Sequence, residues 1–400
     1  MYPRIYLAID NCFASKRWTQ PIEWMREAAE LGVHFVEASA DTELDPLYHG
    51  SEYLARWQED VMKAQDQTGV RVANLYSGHG TYATLGLAHP DRRIRERVRD
   101  QWLKPMVDIA SSINAGLGFF CHAFHQAALA DSTTYESYVS DLIENLADIA
   151  AYSAERKPGQ CVGVEQMYSP HQVPWTISQA RELLQRIHAC GQYPFYITID
   201  LGHQSGQWRF AQPTYGAVKE TIRVGRKTGR IPHIWLGPDP LYDLLEKAVQ
   251  SAPRNEESIV HEILQQTELC SYLYAQPHDG DPYVWLEQLA GWSPIIHLQQ
   301  TDGRTSAHWP FTDEANRNGI VDGRTVLESI YRHYDGKEDD SAMPPRASEI
   351  YLTLEVFSGT AESAAEIRRK VRRSVEYWRR YVPEDGCTID ELIKGMGDDL

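Results

Sequence analysis

Short apolar runs alternate with longer stretches in which apolar residues recur every three or four positions. The runs Arg4–Ile9, Val33–Ala38, Val70–Leu75, Leu117–Cys121, Cys161–Glu165, Phe195–Asp200, Ile295–Gln299 and Ile350–Phe357 read as eight β-strands. Several are apolar throughout rather than alternating, as strands covered on both faces are. Between them, Ile94, Val98, Trp102, Met106, Ile109 and Ile113 mark one helical face. Ala364, Ile367, Val371, Val375, Trp378 and Val382 mark another. Further helical periods run near Pro21–Leu31, Ser51–Gln67, Tyr135–Arg156, Ile177–Cys190, Pro282–Ala290 and Arg324–Tyr334.

Eight strand-then-helix units predict an α/β fold, a (β/α)8 barrel of parallel strands with its site on the loops at the strands' C-terminal ends. A doubly wound sheet would want a GxGxxG turn after an early strand, and the chain has none there. One barrel domain is expected over 1–382. It is interrupted after the sixth strand by 204–281, which carries helical periods of its own (Leu241–Ser251 and Glu257–Cys270) and reads as a helical insertion, a lid or an oligomer contact. Residues 383–400 read as a C-terminal tail with a short helix.

Charge narrows the partners. With 39 Lys+Arg against 56 Asp+Glu the net charge is −17, which repels polyanions at long range, so neither nucleic acid nor an anionic membrane is an expected partner. The basic stretch Arg368, Arg369, Arg372, Arg373, Arg379 and Arg380 reads as a solvated outer helix face. No apolar run approaches the roughly 18 residues of a membrane span. The six cysteines lie far apart without a CxxC pair, and the first strand begins within a few residues of Met1. A reduced cytoplasmic protein with no leader peptide is the expectation. A homo-oligomer is the one protein partner the insertion brings into view.

The residues that stop the later strands carry the chemistry. The fifth run ends on Glu165, the sixth on Asp200 with His203 three residues on, the seventh holds His297, and the eighth holds Glu355. One acid after an apolar strand is usually a turn residue. Four such groups on consecutive strands converge on one small volume in a barrel. Three carboxylates there repel one another and do not all ionise without compensation. A divalent cation compensates, and two Glu, one Asp and one His make a mostly oxygen ligand set suited to Mn2+, Mg2+ or Co2+, with Zn2+ also admissible.

These motifs resemble the xylose isomerase-like TIM-barrel superfamily, which contains sugar and sugar-phosphate isomerases and epimerases, hydroxypyruvate isomerase and endonuclease IV. Its strand-five Glu, strand-six Asp-x-x-His, strand-seven His and strand-eight Glu match Glu165, Asp200-Leu-Gly-His203, His297 and Glu355. The stretch Ala88-His-Pro-Asp-Arg-Arg, opening a long helix, is also similar. The resemblance implies one metal ion on Glu165, Asp200, His297 and Glu355, with Glu165 and Glu355 as an acid–base pair. It implies isomerisation or epimerisation of a small keto-sugar or sugar phosphate through a metal-stabilised enediolate. His203 is expected to hydrogen-bond a substrate oxygen. Arg304 lies where related epimerases carry a substrate-contacting arginine, and Asp302 and His308 share its loop. His79 and His122, after the third and fourth strands, are further candidate substrate contacts.

Three other readings share parts of this pattern. An endonuclease IV-like phosphodiesterase with several zinc ions would use His79, His122 and the Asp302–His308 region, against the unfavourable charge. A sugar dehydratase or lyase would run on the same enediolate. A non-catalytic sugar-binding barrel would have little need of both Glu165 and Glu355.

Overall fold

The computed structural model describes residues 1–78, 85–251, 256–336 and 340–397. Eight parallel strands close on themselves: β1 (Arg4–Asp10), β2 (Phe35–Ser39), β3 (Arg71–Ser77), β4 (Gly116–Phe119), β5 (Val162–Glu165), β6 (Tyr196–Asp200), β7 (Ile295–Leu298) and β8 (Glu349–Leu354). Each pairs with the next, and β1 pairs with both β2 and β8. This is the expected (β/α)8 barrel. Individual bounds move by a few residues because the apolar positions Val33 and Val70 belong to the approach to a strand, buried but outside the ladder.

The outer helices obey the local rules that place them. Asp131 and Asp322 accept from backbone N–H groups of the helices Ser132–Arg156 and Gly323–Asp335, and Ser363 with Glu366 forms a capping box on Ala364–Trp378. The helix Ser51–Thr68 stops at Gly69, whose φ of 71° suits a residue without a Cβ. The helix expected over Ile94–Ile113 contains a π-helical turn, Arg99–Leu103, between Arg92–Val98 and Lys104–Ser112. On Ala364–Trp378 the arginines Arg368, Arg369, Arg372 and Arg373 are exposed, as expected of a solvated face; Arg368 also pairs with Glu27 and lies over Trp18, and just beyond the helix Arg379 pairs with Asp385.

After β6 the chain leaves the barrel through the 3-10 helix His203–Phe210 and builds three helices, Tyr215–Thr228, Asp239–Gln250 and Glu256–Leu269. They share a small core of their own, in which Val218, Ile222, Leu245 and Ile263 are buried. The helix Tyr215–Thr228 was not expected; Thr214 caps it and Gly229 at φ 71° ends it. Trp235 and Tyr274 tie this unit back, donating to the carbonyls of Leu273 and Leu236. The C-terminal segment adds a ninth strand, β9 (Cys387–Thr388), antiparallel to the start of β1, and the helix Ile389–Met396. All six cysteines are free. Among the described residues no helix is long and apolar enough to cross a membrane.

Candidate active site

The second half of the barrel delivers one polar side chain per strand to its C-terminal mouth. Glu165 ends β5, Asp200 ends β6, His297 lies on β7, and Glu355 follows β8 by one residue. Asp200 and His297 are register partners, so the ladder itself sets them side by side. The four side chains meet around one atom. His297 Nδ1 lies 3.0 Å from Glu165 Oε1, 3.7 Å from Glu355 Oε2 and 4.0 Å from Asp200 Oδ2. All four residues are buried.

Each acid is held differently. Gln299 Nε2 donates to both Asp200 oxygens, at 2.8 and 2.9 Å, and the N–H groups of Gly202 and His203 donate to Oδ1 at 2.6 and 3.2 Å. A Cβ at Gly202 would fall 2.2 Å from Gln299 Cδ, so this contact needs glycine. Burial alone would raise the Asp200 pKa, yet His203, His308 and His297 draw it down to about 2. Glu165 Oε2 accepts from the Tyr76 hydroxyl. Glu355 Oε2 is buried and makes no hydrogen bond of good geometry, with His308 Nδ1 its ion-pair neighbour at 3.3 Å.

The histidines face these acids. His203 Nδ1 sits 2.8 Å from the Gln166 carbonyl, which accepts its hydrogen and leaves Nε2 3.8 Å from Asp200 Oδ2. His308 adopts φ 46°, its N–H donates to Gln299 Oε1 at 2.7 Å, and the edge-on Phe357 ring lies 4.5 Å away. Burial works against charging either His297 or His308. Glu37 and Glu355 nevertheless raise the His297 pKa well above the usual histidine value, and Glu355 with Asp200 raises that of His308 to about 9.

Two ligand triples emerge, Glu165–Asp200–His297 and Asp200–His308–Glu355, each with donor atoms within 4.8 Å of one another and with Asp200 in common. The donor set is carboxylate oxygen and imidazole nitrogen, the chemistry that suits a divalent cation, and the buried Glu355 oxygen, without a hydrogen bond of good geometry, belongs to it.

The other expected residues make contacts of their own. His122 is fully buried with Nε2 on the Val173 carbonyl, and burial lowers its pKa to about 4; no hydrogen bond or ion pair among the described residues joins it to the cluster. Asp302 accepts from the Arg304 N–H at 2.9 Å, a local turn with Gly303 at φ 76°, and Arg304 is exposed. His79 lies outside the described residues.

Four contributors escaped the sequence reading: Asp10, Glu37, Tyr76 and Gln299. Asp10 gave the same signal as the others, closing an apolar strand. Burial, then Glu37 and Glu355, push its pKa up to about 8. Glu37 interrupts the run Val33–Ala38 and Tyr76 directly follows Val70–Leu75, and neither belongs to the series on consecutive strands.

A model of the xylose isomerase-like TIM-barrel family matches residues 25–234, a stretch that includes Glu165, Asp200 and His203. The chain is 22% identical over 341 residues to a D-erythrulose 1-phosphate 3-epimerase of Brucella abortus (strain 2308), covering 85% of this chain and 84% of that protein. Among solved structures, a putative xylose isomerase from Rhodospirillum rubrum superposes with a TM-score of 0.65 at 17% identity, covering 94% of this chain and 99% of that one. A D-psicose 3-epimerase from Clostridium cellulolyticum H10 gives 0.53 at 9% identity, covering 94% and 98%.

Proposed function

We propose that this chain, which belongs to the xylose isomerase-like TIM-barrel family, is a divalent-metal-dependent epimerase or isomerase of a small keto-sugar or sugar phosphate. The observation that carries the reading is the convergence of Glu165, Asp200 and Glu355 within 4.0 Å of His297 Nδ1. Those four residues would hold the cation. Bound there, it would stabilise the negative charge that develops when a proton leaves the carbon beside a ketose carbonyl.

The chain's own groups supply the rest. Asp200, held ionised and pinned by Gln299, is suited to ligation rather than proton transfer. Glu165 and Glu355 approach from strands three apart around the barrel and form the acid–base pair, one taking the α-proton and the same or the other returning it. His203, its Nδ1 committed to the Gln166 carbonyl, keeps Nε2 for a substrate oxygen. His308, beside Glu355, offers a second donor. The Brucella relative acts on a short ketose phosphate, which supports starting from that class.

The test is a screen of ketoses and ketose phosphates of three to six carbons against the Mn2+-loaded protein, repeated after EDTA and after Mn2+ is restored. Turnover lost and regained with the metal is expected. Full turnover in a metal-free preparation would remove the metal from the account.

A further inference from the structure

Glu37 on β2 and His297 on β7 meet across the barrel interior, with Glu37 Oε2 3.0 Å from His297 Nε2. Both residues are fully buried. The other Glu37 oxygen accepts from Asn74 Nδ2 at 2.8 Å. Glu37 and Asn74 are register partners on β2 and β3, and the register shifts between Val36 and Glu37. Such a bulge re-aims side chains, a device common beside active sites. The extra residue is Ala73 on β3, and Val36, Glu37 and Ala38 on β2 are all buried.

Asn74 is itself wedged in place. A Cβ at Gly116 would stand 2.7 Å from its Oδ1, and one at Gly118 would stand 3.1 Å from its Nδ2. Two glycines of β4 therefore leave the space the amide occupies.

We propose that Glu37, held by Asn74, is a positioning residue that orients His297 so that Nε2–H is bound and Nδ1 faces Glu165, Asp200 and Glu355. A carboxylate only accepts, so the nitrogen facing Glu37 keeps its hydrogen, while Nδ1, 3.0 Å from Glu165 Oε1, would give up its own when a cation binds. A ligating histidine characteristically gives its other N–H to a carboxylate in this way, which sets ring orientation and raises ligand basicity. The consequence for the cation rests on the metal reading above. The orientation of the ring does not.

The experiment uses the full chain, selectively 15N-labelled at histidine, with Glu37→Gln and Glu37→Asp. In the wild type, a downfield, exchange-protected His297 Nε2–H resonance is expected without metal and should persist with Mg2+. It should disappear in both variants, with Mn2+ affinity by EPR titration falling about 10- to 100-fold. Asn74→Ala is the second route should the Glu37 variants not fold, and should weaken the resonance's protection and the affinity in the same direction. Variants that keep the wild-type resonance and bind Mn2+ within threefold of wild type would overturn the proposal. A wild type that takes up no divalent cation would instead sink the metal reading, while the resonance still decides what Glu37 does.

Discussion

His308 carries its Nδ1 to 3.3 Å from Glu355 Oε2, bringing the loop after β7 onto the acid that follows β8. The approach depends on a backbone at φ 46° and on Gln299, whose amide holds Asp200 with its nitrogen and the His308 N–H with its oxygen. The pair is a charge-assisted contact beside the proposed acid–base group. Replacing His308 with Ala should cost about 1.5–3 kcal/mol of transition-state stabilisation, a 10- to 150-fold fall in kcat/KM by steady-state kinetics. The melting temperature should hold, because the side chain is partly exposed. Unchanged kinetics would place His308 outside the reaction.

Tyr76 makes the complementary contact on the other side. Its hydroxyl donates to Glu165 Oε2, and its ring stands edge-on to His297 at 5.2 Å. Tyr76→Phe keeps the packing and strands one buried carboxylate oxygen. We expect kcat/KM to fall by about 10- to 100-fold, of the order of a lost hydrogen bond to a charged group, and stability to fall by about 1–3 kcal/mol, since a buried acceptor is left unsatisfied. A variant as active as wild type would show that Glu165 needs no such support.

The parts of this site that were legible in the sequence share one physical property. Glu165, Asp200, His297 and Glu355 interrupt or close apolar runs, and the barrel's parallel register makes strand ends neighbours, so order along the chain maps onto position in space. Glu37 interrupts the second run and Tyr76 directly follows the third, but neither belongs to the unbroken series of polar groups on four consecutive strands that marked the others. Glu37 becomes a site residue only through a bulge and a contact with His297 from the far side of the barrel. Asp302 and Arg304, on the loop after β7, form a local turn in which Asp302 accepts from the Arg304 N–H. The eight strands were legible because double coverage makes several of them apolar throughout and the rest apolar at most positions. The helix Tyr215–Thr228 was not, because it packs on the insertion's own small core and shows a narrow apolar stripe.

Glu43 offers a test of stability that is separate from the chemistry. It is buried, and its Oε2 accepts from Trp57 Nε1 at 3.1 Å. Burial, partly offset by the hydrogen bond from Trp57, raises its pKa from 4.5 to about 7. The folded state therefore holds this proton more tightly than the unfolded chain. Its contribution to stability is fully present below pH 4.5 and is lost as pH rises through about 7. Glu43→Gln should flatten that fall, gaining up to about 3 kcal/mol over wild type at pH 8 and little at pH 4. Urea unfolding at the two pH values checks it, and parallel pH profiles for the two proteins would contradict it.

The central claim is proton transfer at a ketose α-carbon by Glu165 and Glu355 beside a bound cation. Solvent-deuterium incorporation tests it most directly, with the Mn2+-loaded protein in D2O and the best ketose or ketose phosphate of the screen. The wild type should place deuterium at the α-carbon, and Glu355→Gln, folded as judged by circular dichroism, should lower that exchange by about 10²- to 10⁴-fold. Exchange at the wild-type rate in Glu355→Gln would contradict the account.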